Sequence, residues 1–459
     1  HRDLHSSPTR RSSDLGTTRS IVAWTDRGNY PIVSFLDEAG DATEWYPSVA
    51  AECRGELRYG FDALAVGTDP DWTLLRSFKR ILSDSTLAPY SRVHVGSTEL
   101  PVADLLAGFL SSLRRDLLLR SNLPKSIARS RPIRAAVATP ANAHNTQRFL
   151  TIDAFRRAGF EVASLLNEPS AAGFEYAHRH RSTITSKREY VVVYDLGGGT
   201  FDASLVHMTG QHHDVITTAG VGRLGGDDFD SCLLDLVLQA ASIPRASLSR
   251  RNLDRLLDLC RQAKEALHPN SRRVVIELEP VLAADAPVPE VAIPVADFYD
   301  ACAPLVERSI DAMLPVMSIL DAQPGCDPTA PGNEPALSDI AGIYVVGGAS
   351  SLPAIGRTLR SRFGRRVHRS PYPSAATAIG LAIAGDEAAG FQLTDRFSRT
   401  FGVFREALDG TSVSFDPVFT NDLRLPEGDE SFVSCRLYRP AHNIGHFRYV
   451  ECTSLDAQG

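Results

Sequence analysis

No apolar run in these 459 residues approaches the ~18 that a membrane-spanning helix needs. Basic residues are not in excess either. The chain has 48 Lys and Arg against 55 Asp and Glu, a formal net charge of −7, so it carries no electrostatic footprint for nucleic acid. Local clusters such as Arg250-Arg251 and Arg365-Arg366 read as solvated faces. The seven cysteines include no CxxC pair and no metal-like spacing, and they read as small buried residues of a protein in a reducing cytoplasm. Thirteen histidines include no HExxH pattern, and His212-His213 reads as a hairpin turn rather than a metal site. His1–Ser13 is polar and basic without an apolar h-region, so it is not a signal peptide. It stands where an apolar strand is expected, and it reads as a non-native junction or truncated start making few core contacts. The end at Gly459 follows closely on a strand-like Phe447–Glu451, and the chain reads as a fragment. With 43% hydrophobic and 22% charged residues, the composition is that of a soluble globular protein. The length suggests about three domains.

The most informative stretch is Tyr190–Asp202, YVVVYDLGGGTFD. The β-branched run Val191–Val193 reads as a buried strand. Gly197, Gly198 and Gly199 then let the backbone turn and approach a ligand without Cβ clashes. Successive N–H groups in such a turn make an anion nest, and Asp195 and Asp202 supply carboxylates suited to a hard cation such as Mg²⁺. A second acid–Gly–Thr turn, Asp14-Leu15-Gly16-Thr17-Thr18, lies roughly 180 residues earlier. The pair suggests an internally duplicated α/β fold whose halves offer two hairpins to the same phosphates from opposite sides of one cleft. Neither turn has the Lys-Ser/Thr ending of the P-loop, which excludes the usual strand–loop–helix nucleotide fold. A third turn, Val345-Val346-Gly347-Gly348-Ala349-Ser350, reads as a wall for the nucleoside.

Strand and helix patterns alternate from residue 14 to about 180. Early strands are expected at Ile21–Trp24 and Ile32–Phe35, helices over Val102–Arg120 and Asn145–Ala158, and a helix over Ser170–Arg179. The second half repeats the scheme. Gly225-Gly226-Asp227-Asp228-Phe229-Asp230 opens a helix with acids at its positive N-terminus, and Leu253, Leu256, Leu257, Cys260, Ala263 and Leu267 give another helix one apolar face. Val274–Leu278 and Val291–Pro294 read as a hairpin. Beyond a linker at Gly385–Leu393, residues 399–459 show only short strand runs, with Asp409-Gly410 as a hairpin cue, so an incomplete all-β module with exposed edges is expected.

Several segments together resemble the ATPase domain of the heat shock protein 70 chaperone family, a branch of the actin-like nucleotide-binding fold. They are DLGTT at 14–18, FKR at 78–80, TPANAHNTQR at 139–148, LLNEPSAAGFEY at 165–176, YDLGGGTFDASLV at 194–206, LGGDDFD at 224–230 and YVVGGASSLPAI at 344–355. The resemblance implies a duplicated, two-lobed α/β ATPase domain over 14–386, a linker over 387–398 and a partial β-sandwich substrate module over 399–459. It implies that Asp14 and Asp195 orient Mg²⁺ through water, and that Thr17, Thr18, Gly16 and Gly197–Gly199 hold the phosphates of ATP or ADP. Gly225, Gly226, Lys264, Gly347, Gly348 and Ala349 would complete the nucleotide site. Lys79 would contact the γ-phosphate and the attacking water, Thr200 would position them, and Glu168 and Asp202 would finish the polar shell. Pro140 and Arg148 match a relay between nucleotide and substrate domains. Extended peptide segments, co-chaperones and nucleotide exchange factors are the implied partners. In the adenosine wall Ser351 stands for a usual arginine, Arg261 for a glutamate and Ser374 for an aspartate.

Glycine turns alone would also allow a sugar kinase or a bacterial actin, and without the resemblance Glu168 could simply cap the helix at Ser170. The leading expectation is a slowly hydrolysing chaperone ATPase. The alternatives are an actin-like regulatory or scaffold protein without chaperone activity, and a small-molecule kinase on the same fold.

Overall fold

The computed structural model describes residues 11–14, 18–67, 69–84, 86–125, 132–141, 143–282, 288–321, 337–390, 392–394, 399–406, 412–420, 423, 432–439 and 448–452. Two large sheets organise it. The first contains β1 (Arg11–Asp14), β2 (Arg19–Trp24), β3 (Tyr46–Pro47), β4 (Ile133–Thr139) and β5 (Phe160–Asn167) in the order β5-β4-β1-β2-β3. The second contains β6 (Tyr190–Leu196), β7 (Phe201–Thr209), β8 (His212–Val221), β9 (Ile340–Val346), β10 (Val367–Arg369) and β11 (Gln392–Thr394) in the order β10-β9-β6-β7-β8-β11. Both follow one scheme. The central strand, β1 or β6, pairs parallel with β4 or β9 on one side and antiparallel with β2 or β7 on the other. Strands covered on both faces should be apolar throughout. β9 is buried at every position and β6 at every position after Tyr190, as their β-branched runs require.

The helices follow in chain order: α1 (Val102–Leu119), α2 (Asn145–Arg157), α3 (Glu168–Arg179), α4 (Gly226–Ala240), α5 (Arg250–Glu265), α6 (Val295–Ser318) and α7 (Ala376–Ala384). Helices α3 and α7 cross between the two sheets. Ala171 and Phe174 of α3 join most of α7 in a core with Ile21, Ala23, Ala136 and Ala138 of the first sheet, while Ala172, Tyr176 and Ala177 of α3 pack on Val191, Val193, Val206 and Tyr344 of the second. The crossing is close because Gly380 has no side chain; a Cβ there would lie within 1.7 Å of the Ala171 carbonyl oxygen. Among the described residues no helix is long and apolar enough to cross a membrane.

Several expectations change. The polar Arg11–Ser13 are not marginal: they pair with β4 on one side and β2 on the other. Backbone hydrogen bonds need no apolar side chain when both neighbours are in place, so the first sheet begins before Asp14. Residues 1–10 lie outside the described residues. The early strand expected at Ile32–Phe35 is reduced to an isolated bridge at Ile32 and a two-residue strand at Phe35–Leu36. His212-His213 is no hairpin turn but the start of β8; His213 is fully buried and stacks on Phe174 with ring centroids 4.8 Å apart. The linker contributes β11, which runs parallel to β8 with Leu393 opposite His213. Beyond it Thr400–Glu406, Val413–Phe419 and Tyr449–Cys452 form an antiparallel sheet with Thr400–Glu406 in the middle. Phe404, Val413, Phe432, Val433, Leu437 and Tyr449 of this region are exposed. The Asp409-Gly410 cue lies outside the described residues.

Burial, and then the neighbouring His212, pull the His213 pKa from 6.5 down to about 4. The fold therefore accepts the neutral ring, and this contribution is complete above pH 6.5 and lost as pH falls toward 4. At pH ~4.5 the loss amounts to ~2.5 kcal/mol. Denaturant unfolding at neutral and acid pH checks this: His213→Leu should lose about that much less stability on acidification than the parent. Equal losses would place the acid sensitivity elsewhere.

Candidate active site

The cleft between the two halves is lined by Thr18 and Arg19 from the first sheet, Lys79, Glu168, and the turns Asp195–Thr200, Gly226 and Gly347–Ala349 from the second half. Its cavity volume is about 270 Å³, with a mouth open to solvent.

Lys79 reaches the cleft through a short, strained lead-in. The strand Thr73–Arg76 ends at Ser77, which takes a left-handed conformation with φ 52°, and a 3-10 helix over Phe78–Ser83 follows. Phe78 is buried against Phe109, with ring centroids 4.9 Å apart, and anchors the turn that presents Lys79. Lys79 Nζ donates to Glu168 Oε1 at 2.5 Å, with both residues buried. Glu168 is the first residue of α3, preceded by Asn167, whose side chain makes no capping bond to the helix. The carboxylate thus serves Lys79, and the helix starts earlier than the Ser170 expected.

The glycine turns touch backbone to backbone. Gly197 N–H closes its own turn on the Thr200 carbonyl at 2.9 Å, while Gly226 and Asp227 N–H groups, at the start of α4, donate to the Gly197 and Gly198 carbonyls at 3.0 and 2.8 Å. A Cβ at Gly225 would come within 2.5 Å of the Gly199 nitrogen, and one at Gly347, where φ is +86°, within 2.4 Å of Asp195 Oδ1 and the Leu196 carbonyl. Gly198 faces the other half, where Thr18 Oγ1 would be 2.9 Å from an added Cβ. The second turn and the residue closing the first therefore meet across one cleft. Gly16 and Thr17 lie outside the described residues, as does the Asp14 side chain; only the Asp14 backbone, in β1, is described.

Asp202 pairs with Asp195 across β6 and β7 and lies behind the lining, 5% exposed. Burial first, then the Glu168 and Asp195 carboxylates, hold its pKa well above the ordinary value, with Lys79 opposing. Such a set of buried carboxylates, with excess negative charge beside a cleft, fits a hard divalent cation. Among the described residues no three His, Cys, Asp or Glu side chains converge to ligate an ion directly. A cation held by Asp195 would complete its shell with water or phosphate oxygens.

On the other wall, Lys264 donates to the Gly226 carbonyl at 2.8 Å and pairs with Asp230 at 2.6 Å. Arg261 pairs with Asp227 and Asp230 at 3.1 Å each and with Asp258 at 3.5 Å. Contacts across the cleft come from Ser77 to Asp227 at 2.9 Å, Arg80 to Asp227 and Asp228 at 3.4 Å, Arg76 to Asp258 at 2.7 Å, and Arg19 to Glu265 at 2.5 Å. The sequence reading assigned the α4 acids to the helix dipole and missed this network, with Arg19 and Glu265. A signal was present: Asp227 and Asp230, like Arg261 and Lys264, stand three residues apart and so share one helix face. Pro140 and Arg148 do not line the cleft. Arg148 Nη2 donates to Asn167 Oδ1 at 2.7 Å, one residue before Glu168, and Pro140 follows directly on β4.

Comparison with known proteins gives a consistent result. The family described as Hsp70 protein matches residues 13–403. The Chaperone protein HscA homolog of Polynucleobacter necessarius subsp. necessarius (strain STIR1) is 32% identical over 400 residues, covering 83% of this chain and 58% of that protein. Chaperone protein HscA of Cronobacter sakazakii (strain ATCC BAA-894) is 33% identical over 396 residues, covering 81% of this chain and 57% of that protein. The chain thus spans somewhat over half the length of these relatives.

Because only backbone atoms of Gly198 and Gly199 face Gly225, no side chain can give way to a new methyl. Gly225→Ala should separate α4 from the glycine turn. Thermal unfolding should show a loss of roughly 2 kcal/mol, and binding of a fluorescent ADP analogue should weaken at least ~tenfold. Parent-like values for both would show that the turn tolerates displacement.

Proposed function

Since the chain belongs to the Hsp70 family, we propose that it is a chaperone ATPase that binds Mg·ATP in this cleft, hydrolyses it slowly and couples nucleotide state to peptide binding. The observation that carries this reading is the meeting of Lys79, Glu168, Asp195, Thr200 and Thr18 at one glycine-walled cleft. Phosphoryl transfer needs positioning and charge neutralisation more than covalent help from the protein. The turn Gly197–Gly199, through the Gly198 and Gly199 N–H groups, would cradle the phosphates together with Gly16 and Thr17, and Thr18 and Thr200 would orient the terminal phosphoryl group and the attacking water. Lys79, held in place by Glu168, would offset the charge that grows in the transition state. Asp14 and Asp195 would hold Mg²⁺, which when bound neutralises phosphate charge, and Asp202 would stand behind it. Gly225, Gly226, Lys264, Gly347, Gly348 and Ala349 would seat the nucleoside.

The ATPase domain would run to about Asp386, in a two-lobed, actin-like arrangement that the shared strand scheme of the two sheets supports. The linker, 387–398, would report nucleotide state through β11, and residues 399–459 would begin the peptide-binding module. The Asn145 N–H at the start of α2 donates to Glu451 of that module at 3.2 Å, and Arg148 ties the same helix to Asn167. Pro140 and Arg148 could therefore relay a change at Glu168 to the module. Extended apolar peptide, co-chaperones and exchange factors are the proposed partners, in a reducing cytoplasm consistent with the free cysteines among the described residues.

Lys79→Ala should lower the single-turnover hydrolysis rate by 10²–10³, the ~3–4 kcal/mol typical of a lost electrostatic stabiliser, while nucleotide affinity changes by less than ~fivefold. A rate within threefold of the parent would reduce Lys79 to a structural ion-pair partner of Glu168.

A further inference from the structure

The net charge of −7 hides an uneven distribution. From Ile340 to Gly385 the chain has six arginines and no Asp or Glu. The helix Pro353–Phe363 buries Ile355, Leu359 and Phe363 in a core with β9 and with Val367 of β10, which turns Arg360 outward in its last turn. Exposed Arg365 and half-buried Arg366 follow in the turn Gly364–Arg366 and lead into β10, the outer strand of the second sheet. Arg366 donates to the carbonyl of Ile340, whose strand partner is Tyr190, so its guanidinium lies near the exposed Arg188 two residues upstream of Tyr190. Side chains alternate along a strand. His368 accordingly faces the end of α3, its ring centroid 5.0 Å from that of His180, while Arg369 shares the face of Val367 and points toward Arg360. The Arg365-Arg366 pair, a solvated face when taken alone, thus belongs to a larger cationic edge. Elsewhere guanidinium groups meet carboxylates, as Arg76, Arg80, Arg115, Arg157 and Arg261 do. Here Arg188, Arg360, Arg365, Arg366 and Arg369 form no ion pair among the described residues. The local acids are committed: Glu175 is fully buried and accepts from Tyr344, Ser370 and Arg179, and Glu189 pairs with His207 at 3.0 Å. Charge on an edge strand also discourages pairing with another copy, but Arg188 and Arg360 lie off the strand and are not needed for that.

We propose that the edge formed by β10 and its flanking arginines is a docking surface for an acidic, extended segment of another protein. Guanidinium forks match carboxylates bidentately. Arg179, 5.4 Å over the ring of the exposed Tyr372, continues the surface with an aromatic contact. The negative charge of the whole chain opposes long polyanions such as nucleic acid and anionic membrane, whereas a short acidic segment meets mainly the local field. A run of ~8 residues, ~26 Å when extended, covers the strand and the turn before it. None of these arginines lines the nucleotide cleft, so the docking stands apart from the nucleotide-binding reading.

The test titrates the full chain with a fluorescein-labelled peptide of ~8 Asp and Glu residues, then adds a zero-length carboxyl–amine cross-linker. Of the four lysines, Lys187 adjoins Arg188 on the exposed turn Thr185–Arg188. The cross-link should map to Lys187 and not to Lys125, which is also exposed but lies in the first half. This readout uses the parent chain and does not depend on a variant folding. Arg188→Glu combined with Arg369→Glu, both exposed, should weaken peptide binding at least ~tenfold. Arg250→Glu combined with Arg251→Glu, the same change of charge on α5, should leave affinity within ~twofold of the parent. Cross-linking at Lys125 instead, or equal weakening in both pairs of variants, would overturn the surface. Tighter binding of single-stranded DNA or of phosphatidylserine vesicles would overturn its assignment to a protein segment. Failure of the parent to bind the peptide at low salt would reduce the arginines to guards of a sheet edge.

Discussion

The structure depends on backbone approaching backbone where no side chain could stand. Gly225 lies against Gly198 and Gly199, and Gly347 against Asp195 and Leu196, at distances that admit hydrogen but not carbon. This packing brings the start of α4, the turn after β6 and the turn after β9 to one point, with the Gly226 and Asp227 N–H groups of α4 committed to the Gly197 and Gly198 carbonyls. A methyl at either glycine would force the elements apart, and the cleft would lose its wall. The same constraint recurs at the crossing of α3 and α7, where Gly380 lies against the Ala171 carbonyl and the two sheets share their central helices.

Charge is the second constraint. Asp195, Asp202 and Glu168 are buried together, and a buried carboxylate without compensation is costly. Lys79 compensates Glu168 directly, while burial first, and then its acidic neighbours, raise the Asp202 pKa. On the facing wall Asp227, Asp230 and Asp258 are offset by Arg80, Arg76, Arg261 and Lys264, drawn from both halves. Arg261, which stands where the family usually has a glutamate, is thereby committed to three carboxylates and serves to hold α4 against α5. This wall of the cleft is built on ion pairs, so its geometry should respond to anything that shifts α4.

Much of this was legible in the sequence because it rests on local rules. The run Val191–Val193 followed by three glycines specifies a buried strand and a tight turn whatever surrounds it, and the strand at Arg19–Trp24 and the helix at Asn145–Arg157 fall close to their expected bounds. Elements stabilised by neighbours distant in the chain were not legible. Arg11–Ser13 have no strand pattern, yet β2 and β4 flank them and supply every hydrogen bond a strand needs. The pairing of β11 with β8 likewise depends on a parallel edge, not on its own residues. Lys79 could be found only through its resemblance to a family segment; its physical cause, a buried Phe78 and a left-handed Ser77, needs the fold to be seen. The Asp227–Arg261 network joins two helices, and single-helix periodicity cannot set their register.

The central claim is that one ligand is gripped from both halves through these turns. Hydrogen–deuterium exchange of the chain with and without Mg·ATP tests it most directly. The account predicts that amides of Gly197–Thr200 and Gly226–Asp227 in the second half gain protection together with Thr18–Arg19 in the first. Protection confined to one half, or absent from the glycine turns at saturating nucleotide, would contradict it.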